Sequence, residues 1–85
     1  MNNIQHDTEN KRFYITLPND KEAEIKYRLL DDNVIDFYST FTPNTARGKG
    51  FAAALVEHGF SWAREQGKDI HASCWYARKF LPENE

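Results

Sequence analysis

The sequence predicts one mixed α/β domain, α+β in layout. It comprises an antiparallel three-strand meander, a crossover helix, a fourth strand parallel to the third, and a short C-terminal helix. Three observations carry this prediction. Three segments between Arg12 and Phe41 alternate apolar and polar residues. After Pro43 the apolar period changes from two to 3.6. At the change stands a glycine-punctuated turn, Arg47-Gly48-Lys49-Gly50.

Residues 1–10 are polar and read as a tail or a short edge strand around Ile4–His6; residues 11–85 read as the domain. Phe13, Ile15 and Leu17 share one face of the first alternating segment, and Pro18-Asn19-Asp20 is turn chemistry. In the second segment Ala23, Ile25, Tyr27 and Leu29 oppose Glu22, Glu24, Lys26 and Arg28, the pattern of a sheet covered on one side. Asp31-Asp32-Asn33 turns the chain into the third segment. There strict alternation puts Ile35, Phe37, Ser39 and Phe41 on one face. Ala52, Leu55, Val56, Gly59, Phe60 and Ala63 then form a helical stripe from Gly50 to Gln66, about 25 Å long, with Gly67 as its C-terminal stop. Asp69 to Cys74 is the fourth strand. It follows a crossover helix and so lies parallel to the third. Trp75 to Leu81 is a last short helix, halted by Pro82.

A chain of 85 residues buries only about two-thirds of its unfolded surface, so its core must be rich. The 40% hydrophobic and 14% aromatic content suffices. A net charge of -2 argues against nucleic acid as a partner. The single Cys74 permits no internal disulfide and no zinc cluster, so no metal is expected, and a reducing compartment is favoured. The start Met-Asn-Asn-Ile has no leader character, and no apolar run approaches the roughly 18 residues of a membrane span. The expectation is a cytoplasmic protein without a membrane partner. The edges of so small a sheet make a homodimer a natural way to cover them.

The glycine turn carries the first functional signal. No acidic residue lies between Asp36 and Glu57, and the only formal charges there are Arg47 and Lys49. Gly48 and Gly50 let the backbone bend sharply and approach a ligand. The helix start that follows aims unpartnered N–H groups and a positive dipole end at the same place, which suits an anion such as pyrophosphate. A plain β-to-α turn with two solvated basic side chains has the same residues. The turn is no Walker A loop, since Ser or Thr does not follow a Gly-Lys pair. Nor is it a dinucleotide fingerprint, since a meander precedes it where a βαβ unit is needed.

Arg47-x-x-Gly50-x-Ala52 resembles the acetyl-CoA signature of the GNAT superfamily of N-acetyltransferases, Gln/Arg-x-x-Gly-x-Gly/Ala. The likeness extends through Trp62-Ala63-Arg64-Glu65-Gln66-Gly67 to Ser73-Cys74-Trp75-Tyr76 and the Pro82-Glu83 tail, as in minimal single-domain GNAT-like proteins with a Cys-x-Tyr motif. It covers roughly residues 10–85. The resemblance implies that Arg47, Gly48, Lys49, Gly50, Phe51 and Ala52 bind the pyrophosphate of coenzyme A, and that an amine of a small molecule or peptide attacks the acetyl thioester. It also implies catalytic positions at Cys74 and Tyr76, the latter as proton donor to the departing thiolate. One position departs from the pattern: where the small family tends to carry His-Thr near the end of the third strand, this chain has Ser39-Thr40.

Each catalytic candidate has a structural alternative. Cys74 stands at a strand end before a helix start, where a thiolate is favoured, but a free Cys also serves as a small buried hydrophobe. His71 is three residues away and should point to the opposite face. Tyr76 also fits as packing, as do Trp75, Phe80 and Leu81, and His58 reads as solvated. The functional expectation is an acetyl-CoA-dependent N-acetyltransferase. A non-catalytic coenzyme A or acyl-CoA binding or protein-interaction module is the alternative, favoured by the Ser at position 39.

Overall fold

The computed structural model describes residues 3–18 and 20–81, apart from the side chain of Thr45. The Asn19 position of the first turn and the Pro82-Glu83 tail lie outside those residues. The chain forms β1 (Gln5–Asp7), β2 (Arg12–Thr16), β3 (Glu22–Asp31), β4 (Val34–Phe41), a 3-10 turn (Asn44–Ala46), α1 (Phe51–Glu65), β5 (Asp69–Ala72) and α2 (Trp75–Arg78). One sheet holds the strands in the order β1-β2-β3-β4-β5. All neighbours are antiparallel except β4 and β5, which are parallel across the α1 crossover. This is the predicted mixed α/β architecture, with β1 added at the edge.

Aromatic contact explains why so short and polar a segment pairs. His6 stacks on Phe13 with ring centroids 4.0 Å apart, meets Trp62 edge-on at 4.7 Å, and shares a 2.7 Å hydrogen bond between Nε2 and the Tyr27 hydroxyl. Three pieces of packing thus hold a three-residue strand that its own sequence would not.

The core follows from alternation. Phe13 and Ile15 of β2, Ala23, Ile25 and Tyr27 of β3, and Ile35 and Phe37 of β4 form one cluster with Leu55, Val56, Phe60 and Ala63 of α1. Gly59 lets the helix come close: a Cβ there would lie 2.8 Å from the Phe37 ring. The opposite sheet face is charged. Arg12 reaches Glu22 at 2.7 Å and Glu24 at 2.9 Å, and Lys26 approaches Glu24 at 3.7 Å.

Strict alternation fails at one place that matters. Lys26 pairs with Ser39 while Tyr27 pairs with Phe37, so Tyr38 has no partner and β4 bulges. Beyond the bulge the faces exchange. Thr40, opposite Ile25, takes the core-side face; Ser39, opposite Lys26, and Phe41, opposite Glu24, take the other. The expectation that Ser39 and Phe41 share a face with Ile35 and Phe37 is therefore corrected. Phe41 is half exposed. A second register shift before Asp31 ends the alternation of β3, and Leu29 and Leu30 are exposed near the hairpin tip.

The helix α1 begins after Gly50, which has φ +82°, and no side chain caps it. It ends in a Schellman motif. The Gly67 N–H donates to the Arg64 carbonyl and the Lys68 N–H to the Ala63 carbonyl, with Gly67 at φ +71°. No helix among the described residues is long and apolar enough to cross a membrane.

The feature that positions the site lies between β4 and β5. Their ladder runs from Val34↔Asp69 to Phe37↔Ala72, and the Cys74 N–H still donates to the Phe37 carbonyl at 3.2 Å. There β5 stops and the chain turns into α2, while β4 continues from Tyr38 to Phe41. The sheet is open beyond that point. Asp36 fixes the turn. This carboxylate is buried, accepts from both the Ser73 N–H and the Ser73 hydroxyl at 2.8 Å, and accepts from Arg28 Nε at 2.9 Å.

Candidate active site

A cleft of about 470 Å³ fills the opening between the end of β4 and α2. One wall is Thr40 and Thr42; the floor is Ala46, Arg47, Gly48 and Gly50 of the glycine turn with Phe51 and Ala52 of α1; the far wall is Trp75 and Tyr76 of α2. The sequence folds this way because Pro43 ends the strand ladder, the 3-10 turn at Asn44–Ala46 reverses the chain, and Gly48 and Gly50, both at φ +82°, redirect it into α1. No atom lies within 4 Å of a Cβ built on either glycine. Their role is conformational freedom, and the space beside them stays open to a ligand.

At this end the cleft meets the unpartnered amides that open α1. The first intrahelical bond of α1 runs from the Ala54 N–H to the Gly50 carbonyl at 3.0 Å, so the N–H groups of Phe51, Ala52 and Ala53 precede it without helical partners. The first turn holds no acidic residue. Arg47 Nε donates to the Thr42 carbonyl at 3.2 Å, which ties its exposed guanidinium to the cleft wall. Phosphate oxygens match these donors and the helix dipole.

Against the Thr40 wall stands Cys74. It is half buried, occupies the N-cap position of α2, and its Sγ lies 3.5 Å from Thr40 Oγ1. Burial pushes the thiol up, but the Thr40 hydroxyl and the N–H groups of Ala77, Tyr76 and Thr40 outweigh it, and the thiol ends below its ordinary value. These N–H groups favour the thiolate by proximity, since the sulfur makes no formal cap hydrogen bond.

The structure brings Arg47, Gly48, Gly50, Phe51, Ala52 and Tyr76 together on one cleft, with Cys74 against its Thr40 wall. Lys49 is exposed and does not line it. Sequence reasoning missed Thr40, Thr42 and Ala46, and it took Trp75 for packing, whereas Trp75 is 70% exposed. The attention given to Ser39 also shifts: the bulge turns it to the charged sheet face and gives the contact with sulfur to Thr40. A Thr after a strand position marked by the resemblance was the only available signal. His71 is exposed and pairs with Asp36 in the ladder, and His6 and His58 both pack near Phe13. Among the described residues, neither a histidine nor a carboxylate lines the cleft. No group of three or more His, Cys, Asp or Glu among them is placed to hold a metal.

Comparison with known proteins agrees with this architecture. Residues 12–85 match the family model for GCN5-related N-acetyl-transferases. The chain is 28% identical over 82 residues to Protein NATD1 of Bos taurus, covering 95% of this chain and 73% of that protein. The Homo sapiens NATD1 is 27% identical over 82 residues, with 95% and 73% covered. Among solved structures, a GCN5-like candidate N-acetyltransferase from Staphylococcus aureus superposes with a TM-score of 0.58 at 34% identity, covering 93% of this chain and 76% of that one. A candidate acetyl transferase from Pyrococcus furiosus shares the fold, with a TM-score of 0.60 at 21% identity over 84% of this chain and 58% of that one.

Proposed function

Because the chain belongs to the GCN5-related N-acetyltransferase family, we propose that it binds acetyl-coenzyme A in the cleft between β4 and α2 and passes the acetyl group to a primary amine of a small molecule or peptide. The observation that supports this reading is one cleft floored by the glycine turn and the unpartnered amides of α1, with Thr40 in its wall against the Cys74 sulfur. Acetyl-coenzyme A, when bound, supplies an activated thioester. The N–H groups of Phe51, Ala52 and Ala53 hold the pyrophosphate, with Arg47 adding charge and Gly48 and Gly50 shaping the turn. Lys49 contributes charge from outside the lining. Tyr76 stands in the wall with a hydroxyl able to protonate a departing sulfur. Thr40 holds the Cys74 thiol in place, and the lowered thiol fits a nucleophile that accepts the acetyl group or a polar contact that orients it.

A second reading, a non-catalytic coenzyme A or acyl-CoA binding module, is favoured by the cleft's lack of a described histidine or carboxylate to act as base. Two measurements separate them. Acetyl-coenzyme A at 100 times its dissociation constant should raise the unfolding free energy by about 2.7 kcal/mol in either case. Release of free thiol in the presence of an amine and peptide panel is expected only from the enzyme. Binding without release across that panel selects the module; no stabilisation removes both. Full turnover by Cys74→Ser would exclude covalent catalysis through that sulfur while leaving direct transfer intact.

A further inference from the structure

The far wall of the cleft carries an amine of the chain itself. Lys79 is exposed, one turn after Trp75 on α2 and its extension. Its Nζ lies 4.6 Å from the centroid of the Trp75 ring and 5.6 Å from that of Tyr76, and both rings line the cleft. Three of the other lysines are placed differently. Lys26 pairs with Glu24, Lys68 donates to the Asp32 carbonyl at the start of the β4–β5 ladder, and Lys49 stands outside the cleft lining. No described carboxylate pairs with Lys79, and among the described residues cation–π contact holds its head beside the two rings. A lysine stem is long and flexible, so Nζ has freedom to move beside the two rings that line the cleft.

From this placement we propose that Lys79 is an intramolecular acetyl acceptor, and that the protein modifies itself at this residue. The inference rests on acetyl-coenzyme A occupying the cleft. The ammonium first loses a proton to water. The neutral Nζ forms a bond to the acetyl carbonyl carbon, the carbon–sulfur bond breaks, and the electron pair leaves on sulfur. The second nitrogen proton goes to that thiolate, giving acetyl-lysine and free coenzyme A. The product amide is uncharged, so its cation–π contact with Trp75 is lost and the ring at the cleft mouth is released. Acetylation thereby reports on and alters the cleft that produced it.

The test is incubation of the full chain with acetyl-coenzyme A, proteolysis and mass spectrometry of every lysine, at several protein concentrations. Lys79 should gain an acetyl group at least tenfold faster than Lys11, Lys21, Lys26, Lys49 or Lys68, at a rate independent of protein concentration. Lys79→Arg should keep the thermal stabilisation by acetyl-coenzyme A. Tryptophan emission should change on acetylation in the wild type but not in Trp75→Phe. Equal acetylation of all lysines, preference for Lys49, or a rate proportional to protein concentration would overturn the proposal. Thermal stabilisation without acetyl on Lys79 overturns this inference alone; absence of stabilisation overturns the coenzyme reading beneath it.

Discussion

Cys74 shows how a single atom's surroundings set its chemistry. Burial alone would make it an inert thiol, yet one hydroxyl and three N–H groups reverse the balance. Iodoacetamide labelling should accordingly follow a titration below the ordinary thiol value, and Thr40→Val should move that titration upward. An unchanged profile in the variant would remove Thr40 from this role. At Gly50, φ +82° is costly for a β-branched residue, by about 1–2 kcal/mol. Gly50→Val should weaken acetyl-coenzyme A binding about tenfold or more, whereas Lys49→Ala, which deletes an exposed charge, should weaken it by only about two- to threefold. Calorimetric titration ranks the two, and the reverse order would mean that charge, not backbone, holds the anion. Asp36 is a third such residue. Although burial opposes it, hydrogen bonds from Ser73 and Arg28 hold its carboxyl below the usual value. Its contribution is complete above the unfolded value of about 3.9 and is lost as pH falls through the lower folded value. Asp36→Asn should cost about 1–3 kcal/mol at neutral pH and flatten the acid limb of the stability curve, read by urea unfolding.

At the scale of elements, α1 is defined at both ends by glycine and in the middle by a missing Cβ. Helix propensity favours Ala over Gly by about 1 kcal/mol, but the fully buried Phe37 ring occupies the space a Gly59→Ala methyl needs. Overpacking should win, and Gly59→Ala should lower stability by about 1 kcal/mol; a gain in thermal midpoint would show that α1 can lift off the sheet at little cost. Elements were also the scale at which the sequence was most legible. Alternation marked β2, β3 and the first half of β4, and the apolar stripe marked α1 because side chains repeat along one element. The bulge at Tyr38 was not legible, since it is a property of the register between two strands. For the same reason Thr40 was missed and Ser39 overvalued. The glycine turn was readable from its residues, while the exposure of Trp75 depends on where β5 stops, which no local pattern records.

For the whole molecule, the weakest closure is β1, held through His6 rather than by length. Burial pushes the His6 imidazole down, His58 adds to this, and Asp7 opposes it, with a net fall below the ordinary value. The neutral ring belongs to the folded state, so the unfolded chain takes up the proton first. Stability is therefore fully present above the unfolded value of about 6.5 and declines as pH falls toward the folded one. As pH falls across that window, protection factors of the β1 and β2 amides, taken relative to intrinsic exchange at each pH, should drop while those of the β3–β4 amides hold. His6→Phe should remove the pH dependence of β1; persistence of that dependence would assign it elsewhere.

The bulge in β4 has a wider meaning. A strand normally commits each residue to a side by odd and even count, and one supernumerary residue resets the count for everything after it. Tyr38 thus separates two halves of one strand that answer to different neighbours: Ile35 and Phe37 to the packed helix, Thr40 to the cleft. Taking Tyr38 into the ladder would return Ser39 and Phe41 to the parity of Ile35 and Phe37 and exchange the chemistry facing Cys74 without touching any residue of the site, whereas deleting Tyr38 would leave Thr40 where it is. A family built on this sheet can therefore revise its reactive wall by placing or losing a bulge as well as by substitution.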